Sequence, residues 1–165
     1  MDIQIDNRSG EALPLEHVVD LARFVLEREG MAEALEVSLS FVTVEEITTL
    51  NAVYRDRPEA TDVLSFECDA PDTSEAAFEG EASGDQEAET VVLGDIVICP
   101  ELARTRALQE EVSLEEELWI LVIHGILHLL GHDHLNKEDA QAMEAREDEY
   151  FSLCELKREG TPDEF

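Results

Sequence analysis

The sequence predicts a small α+β domain with a central mixed sheet, and three observations support this class. Alternating apolar and polar segments, typical of strands, occupy the first two-thirds of the chain between helical patterns. The last third carries helical patterns alone. A chain of 165 residues, 44% of them hydrophobic, can bury one core without disulfides. We therefore expect one domain at residues 1–156, followed by a polar tail at 157–165.

The first third of the chain predicts two strands, each followed by a helix. Residues 3–5 form a short strand, and a helix with an apolar stripe runs over residues 14–29, before a glycine that can end it. Residues 37–42 alternate with period two and form the second strand. Residues 44–54 form the second helix. The apolar side of that helix carries Ile47, Leu50 and Val53.

The middle of the chain predicts two more strands, separated by an acidic segment. Residues 62–66 are β-branched and aromatic and predict a strand. Residues 69–89 are rich in Glu, Asp, Ala, Gly and Ser, so we expect a solvated loop or insertion. Residues 91–98 form the fourth strand, and a helix follows over residues 100–109.

Two helices complete the predicted fold. Ser113 and Glu116 have the spacing of a capping box, so a helix starts there and runs to Leu130 before Gly131 ends it. Asn136 caps a last helix over residues 137–156.

The net charge of −30, from 41 acidic and 11 basic residues, repels nucleic acid at low ionic strength. Because a Debye length of about 3 Å in 1 M salt screens this repulsion, we infer a halophilic host with a salty cytoplasm. No signal peptide is visible, and the longest apolar stretch, residues 118–130, is shorter than a membrane span. We expect a cytoplasmic protein without a membrane partner. The three cysteines contain no CxxC pair, which argues against a thiol zinc site.

The most informative segment is the run from His124 to His134. His124 and His128 are four residues apart on a predicted helix and therefore share one face. Gly131 then breaks the helix, and His134 follows three residues later as a third nitrogen ligand. Three imidazoles and one open position are the usual arrangement of a catalytic zinc site. We expect one Zn²⁺ ion per chain, used for hydrolysis.

The spacing of the three histidines also occurs in metzincin proteases, with one difference. In those enzymes the residue after the first histidine is a glutamate that acts as general base. Here that residue is Gly125, which argues against peptidase activity of this type.

A purely structural metal is the alternative, and it normally requires four protein ligands. His132 or Asp133 supplies the fourth ligand in that case. We favour Asp133 as a partner that orients a histidine, and we leave His132 out of the ligand set.

A second segment places Arg55 close to a predicted turn, before Thr61 and Asp62. An arginine presents a planar fork of donors that suits a phosphate group. In so acidic a chain a salt bridge is the simpler expectation for Arg55, and Thr61 and Asp62 are ordinary turn or cap residues.

Taken together, these segments resemble the YbeY family of bacterial rRNA maturation factors. The resemblance covers residues 37–150 and rests on the order of several motifs. These are Asn51 with Tyr54-Arg55, residues 61–66 (TDVLSF), residues 93–96 (LGDI) and residues 124–134 (HGILHLLGHDH). The combination is specific, whereas each motif alone is not.

The resemblance implies a zinc-dependent, single-strand-specific endoribonuclease that acts in 16S rRNA 3′-end maturation and ribosome quality control. It implies zinc ligands at His124, His128 and His134, and a contact between Arg55 and the RNA phosphate. It also implies the ribosome or ribosomal proteins as partners. This chain departs from the family at His132, where a tyrosine is common, and in the long acidic segment 69–89.

Two other functions compete with this interpretation. One is a zinc hydrolase of peptides or small molecules, which the absence of a base at Gly125 weakens. The other is a non-enzymatic ribosome-assembly factor whose metal stabilises the fold. Substitution of a histidine would unfold the assembly factor, whereas it would leave the catalytic protein folded but inactive.

Overall fold

The computed structural model describes residues 1–31, 35–57, 59–67, 91–131 and 137–160, the last six by their backbone alone. These ranges contain four strands: β1 (Asp2–Asn7), β2 (Leu35–Phe41), β3 (Val63–Glu67) and β4 (Val91–Ile98). The same ranges contain five helices: α1 (Leu15–Arg28), α2 (Val44–Arg55), α3 (Pro100–Glu110), α4 (Leu114–Leu129) and α5 (Lys137–Gly160). The predicted acidic segment 69–89 lies outside the described residues. None of the helices in the described ranges is long and apolar enough to cross a membrane.

The strands form one mixed sheet in the order β1-β2-β4-β3. β1, β2 and β4 are parallel, and β3 runs antiparallel to β4 at one edge. The α+β class with a small central mixed sheet is thereby confirmed. Parallel strands need crossover connections, which the helices between them provide.

A glycine in β4, Gly94, lies where the register of the strand shifts. The pairing of β2 with β4 shifts here, so that Val37 lies opposite Gly94 and Leu93 is passed over. Gly94 has φ of +151°, and an added Cβ would stand 2.3 Å from the carbonyl oxygen of Phe66. The strand is continuous because a residue without a side chain occupies this position.

Helix α4 is the centre of the core. It begins at the predicted capping box, in which Ser113 and Glu116 exchange both hydrogen bonds. Ten of its sixteen residues are buried, because it packs against β3, β4, α1, α3 and α5. A helix enclosed in this way fixes the backbone of any functional side chain that it carries.

Two details of the helices differ from expectation. Val53, expected on the apolar side of α2, is 69% exposed, and Asn51 is buried instead. The Asn51 side chain donates to the carbonyl oxygen of Glu59 at 2.8 Å, so it fixes the connection between α2 and β3. Helix α5 continues to Gly160 rather than ending near residue 156.

Candidate active site

Two of the three predicted zinc ligands lie side by side on α4. The ring centroids of His124 and His128 are 6.0 Å apart, and the ring planes differ by 9°. Both side chains are half-buried, while Gly125, Ile126 and Leu127 between them are buried in the core. The four-residue spacing thus places both rings on one accessible face, as predicted.

Helix α5 supplies an acidic partner to this pair that was not predicted. The carboxylate of Glu147 forms a short hydrogen bond with Nδ1 of His124. The two residues are 23 positions apart in the chain, so no local motif connects them. The heptad-like position of Glu147 among Met143, Tyr150 and Cys154 was the only available signal.

The two ring nitrogens of His128 are not equivalent. Its Nδ1 atom is buried, although the residue as a whole is half-buried.

The predicted third ligand His134 and the predicted orienting residue Asp133 lie outside the described residues, as does His132. Gly131 has φ of +97°, a conformation that glycine adopts readily, and its N–H donates to the carbonyl oxygen of His128. The chain therefore leaves α4 at the predicted position. Within the described ranges, no group of three or more His, Cys, Asp or Glu side chains is arranged to hold a metal ion.

The residues that are described fit a zinc ion. Two imidazoles one turn apart on a helix can bind the same ion, and nitrogen is a ligand that zinc accepts readily. A carboxylate bonded to the other nitrogen of a ligating histidine is a recurrent feature of zinc sites. Both features are present at His124.

Arg55, at the end of α2, is connected to the histidine helix through β3. One guanidinium nitrogen of Arg55 donates to the carbonyl oxygen of Ser65 at 2.5 Å. The buried hydroxyl of Ser65 lies 3.5 Å from the carbonyl oxygen of Gly125, the residue that follows His124. The contacts described for Arg55 are this hydrogen bond and a ring contact, whereas the composition had favoured a salt bridge.

The aromatic ring of Phe66 lies beside Arg55. Its guanidinium carbon lies 5.8 Å from the centroid of the Phe66 ring, within cation–π range. Tyr54 contacts the same ring edge-on, with centroids 5.2 Å apart, and is itself 66% exposed. An exposed tyrosine held by a second ring offers a flat apolar surface beside a positive charge.

An open pocket of about 510 Å³ adjoins Arg55. Its lining combines the end of α2 with the turn before β3 and consists of Asn51, Arg55, Arg57, Glu59, Ala60, Thr61 and Leu64. Two of the eleven basic residues of the chain meet here. The charged residues of the lining are therefore two arginines and one glutamate, on a protein with a net charge of −30.

Asp62 stabilises the fold beside this pocket. Its carboxylate lies 3.1 Å from a guanidinium nitrogen of Arg106, which also approaches the buried Glu117 at 3.5 Å. The Asp62 carbonyl oxygen accepts from the N–H of Cys99. Burial raises the pKa of Glu117, and the charge of Arg106 opposes part of that rise. This cluster joins β3, β4, α3 and α4.

The two described cysteines, Cys99 and Cys154, are buried, as expected for cysteines that pack as small apolar residues. Burial raises the pKa of the Cys99 thiol, which disfavours the reactive thiolate.

Comparison with known proteins agrees with the order of motifs. The family described as endoribonuclease YbeY matches residues 4–155. A protein of Macrococcus caseolyticus named endoribonuclease YbeY is 39% identical over 159 residues, covering 96% of this chain and 97% of the relative. A protein of Nocardia farcinica with the same name is 39% identical over 163 residues, covering 96% of this chain and 85% of the relative.

A solved structure has a similar fold along nearly the whole chain. The solution structure of TM1509 from Thermotoga maritima superimposes with a TM-score of 0.64 at 26% identity, covering 98% of this chain and 95% of that one. The family match spans most of the chain, and the relatives are similar along nearly their whole length. The chain therefore belongs to the endoribonuclease YbeY family.

Proposed function

We propose that this chain is a zinc-dependent endoribonuclease that cleaves single-stranded RNA during maturation of the 16S rRNA 3′ end. Its family consists of proteins named endoribonucleases, which makes the chain an enzyme of the nuclease class and RNA its substrate. The zinc requirement, the 16S rRNA substrate and a role in ribosome quality control with ribosomal partners are parts of the proposal.

One observation carries the proposal: Ser65 contacts both Arg55 and the helix that carries the histidines. It accepts a hydrogen bond from Arg55 through its carbonyl oxygen, and its hydroxyl approaches the Gly125 carbonyl oxygen. A phosphate-binding side chain and a metal-binding helix are thereby held against the same strand. Hydrolysis of a phosphodiester needs both kinds of group within reach of one phosphate.

The proposed metal ligands are His124, His128 and His134. When bound, zinc supplies Lewis-acid stabilisation of the negative charge that develops on the phosphoryl oxygens. Arg55 binds and orients the phosphate with its fork of N–H donors and neutralises part of the same charge. The Ser65 carbonyl oxygen occupies one of those donors and holds the guanidinium in place.

Tyr54 supports single-stranded RNA as the substrate. Bases in single strands are unstacked and can stack on aromatic side chains, whereas bases in a duplex are not accessible in this way. Tyr54 presents such a surface next to Arg55. We propose that it stacks with a base beside the phosphate that Arg55 binds.

Because the chain is strongly acidic, we propose that it binds RNA only in high salt. At −30 the protein repels RNA, and molar salt screens that repulsion. The same salt weakens binding that depends on counterion release. Affinity therefore depends on the metal, on Arg55 and on stacking, and we propose that the enzyme works in a salty cytoplasm.

The experiment that tests the substrate class compares three substrates in molar potassium chloride. Zinc-loaded protein is incubated with single-stranded RNA, duplex RNA of the same sequence, and unstructured protein. Cleavage of the single strand alone is the expected result. Cleavage of the protein instead would indicate the peptide-hydrolase alternative, and no cleavage of any substrate by zinc-loaded protein would favour the assembly-factor alternative.

A further inference from the structure

Helix α5 places one carboxylate in the middle of an otherwise apolar inner face. Met143, Tyr150 and Cys154 are buried along this face, about one and two turns from Glu147. The Glu147 side chain is only 22% exposed, whereas the adjacent Asp148 and Glu149 are exposed. A carboxylate taken out of water at such a position destabilises the fold unless a specific partner compensates.

That partner is the imidazole of His124. The Glu147 carboxylate meets Nδ1 of this ring, and the His124 side chain is 31% exposed. A carboxylate beside Nδ1 favours the tautomer that carries its proton there. The lone pair is then on Nε2, and the hydrogen bond restricts rotation of the ring.

We infer that Glu147 is a positioning residue for His124: it holds the proton at Nδ1 and directs Nε2 towards the metal ion. The inference rests on the proposed zinc site and goes beyond it, because it assigns a role to a residue of a different helix. It also couples α5 to metal binding. Helix α5 is then part of the metal site as well as part of the core.

A purely structural role for Glu147 predicts a different outcome. If the carboxylate only fills its place on α5, a leucine there completes the apolar stripe of Met143, Tyr150 and Cys154 without affecting the metal. Glu147→Leu therefore separates the two roles. Glu147→Gln keeps a hydrogen-bond acceptor of the same shape but removes its charge.

The test measures zinc affinity of the full chain by competition with a chromophoric chelator, and thermal unfolding of the metal-free form. We expect Glu147→Leu to bind zinc about 10- to 100-fold more weakly, while its metal-free form melts at or above the wild-type temperature. Glu147→Gln should lose less affinity. Asp148→Asn, which removes the same charge from an exposed position, should bind zinc like the wild type.

Wild-type zinc affinity in Glu147→Leu overturns the inference. If Glu147→Leu does not fold, Glu147→Ala decides in the same way, because it also removes the acceptor, and unchanged zinc affinity in that variant overturns the inference. Long-range ¹H–¹⁵N spectra of the zinc-loaded wild type give an independent measurement. We expect the His124 proton on Nδ1, and a proton on Nε2 would contradict the inference.

The same experiment separates this inference from the proposed function. If the wild-type chain binds no zinc, the proposed metal site is wrong and the role of Glu147 is wrong with it. If the wild type binds zinc and cleaves RNA while the Glu147 variants bind zinc equally well, only the role of Glu147 is wrong.

Discussion

Gly125 packs against Ile96 so closely that an added Cβ would stand 2.8 Å from the Cγ2 atom of Ile96. The helix that carries the histidines therefore lies directly on β4, and no side chain fits between them. Metzincin proteases have their glutamate base at this position after the first histidine. The close packing explains its absence here, and a proton acceptor for the reaction has to come from another part of the chain or from the substrate.

Gly125→Ala should destabilise the protein. The new methyl group must displace Ile96 or move α4 away from the sheet, and overpacking of this kind costs about 1–3 kcal/mol. The gain of about 1 kcal/mol from the higher helix propensity of alanine offsets only part of that cost. Urea denaturation of the metal-free protein measures the change in the free energy of unfolding.

A double-mutant cycle with Ile96→Ala serves as the control for Gly125→Ala. The smaller alanine at position 96 removes all three atoms that the added Cβ would meet. Gly125→Ala should then cost less in this background than in the wild type. Equal costs in the two backgrounds would show that the contact with Ile96 is not the cause.

Arg55→Ala and Arg55→Lys should both lose RNA cleavage. Lysine cannot donate to the Ser65 carbonyl oxygen and bind a phosphate with a planar fork at the same time. We expect kcat/KM to fall by about 10²- to 10³-fold, the range for loss of one charge-stabilising donor. Arg23→Ala, an exposed arginine on α1, is the matched control. Full activity in Arg55→Lys would mean that any positive charge suffices.

Tyr54→Ala should weaken binding of single-stranded RNA. Stacking of one base on an aromatic ring contributes about 1–3 kcal/mol, so Kd should rise by about 5- to 150-fold in a filter-binding or fluorescence assay. Tyr54→Phe keeps the ring and should bind normally. Leu108→Ala, at another exposed apolar residue, controls for general loss of apolar surface. A Tyr54→Ala variant that binds like the wild type would exclude stacking.

Glu117 should make the stability of the metal-free protein depend on pH. Because burial raises the pKa of Glu117 above its ordinary value of 4.5, the folded state binds this proton more tightly than the unfolded state. The stability that this group contributes is present below about pH 4.5 and is lost as the pH rises through the raised folded value. Glu117→Gln, which does not titrate, should therefore gain stability relative to the wild type between pH 4.5 and about pH 7.

The prediction for Glu117 is tested by urea denaturation of Glu117→Gln and the wild type at pH 4.5 and at about pH 7, which gives the free energy of unfolding at each pH. Each tenfold difference in proton affinity between the folded and unfolded states corresponds to about 1.4 kcal/mol. Glu144→Gln, at an exposed position, should show no such change. A difference between Glu117→Gln and the wild type that stays constant with pH would contradict the raised pKa.

Local patterns predicted most of the fold. The capping box at Ser113 and Glu116 marked the start of α4, alternation identified β2, and an apolar run identified β4, because these signals act over a few neighbouring residues. The prediction that Val53 lies on the apolar side of α2 was wrong: Val53 is exposed, and Asn51 is buried instead. Its hydrogen bond to Glu59 is a tertiary contact, which periodicity does not reveal.

The candidate site was predictable only in part, for the same reason. The four-residue spacing placed His124 and His128 on one face. The hydrogen bonds of Arg55 with Ser65 and of Glu147 with His124 depend on how β3 and α5 pack against other elements. Periodicity in a single sequence can place a residue such as Glu147 on the inner face of its helix, but it does not identify the distant residue that it contacts.

The proposed function is tested most directly by measuring whether a folded protein needs His124 for RNA cleavage. Wild type and His124→Ala are each incubated with zinc and a single-stranded fragment of the 16S rRNA 3′ end in molar potassium chloride. Circular dichroism confirms that both are folded, and zinc content is measured in parallel. We expect cleavage by the wild type alone, with less zinc bound by His124→Ala. Equal cleavage by a folded His124→Ala variant would contradict the proposed role of zinc at His124.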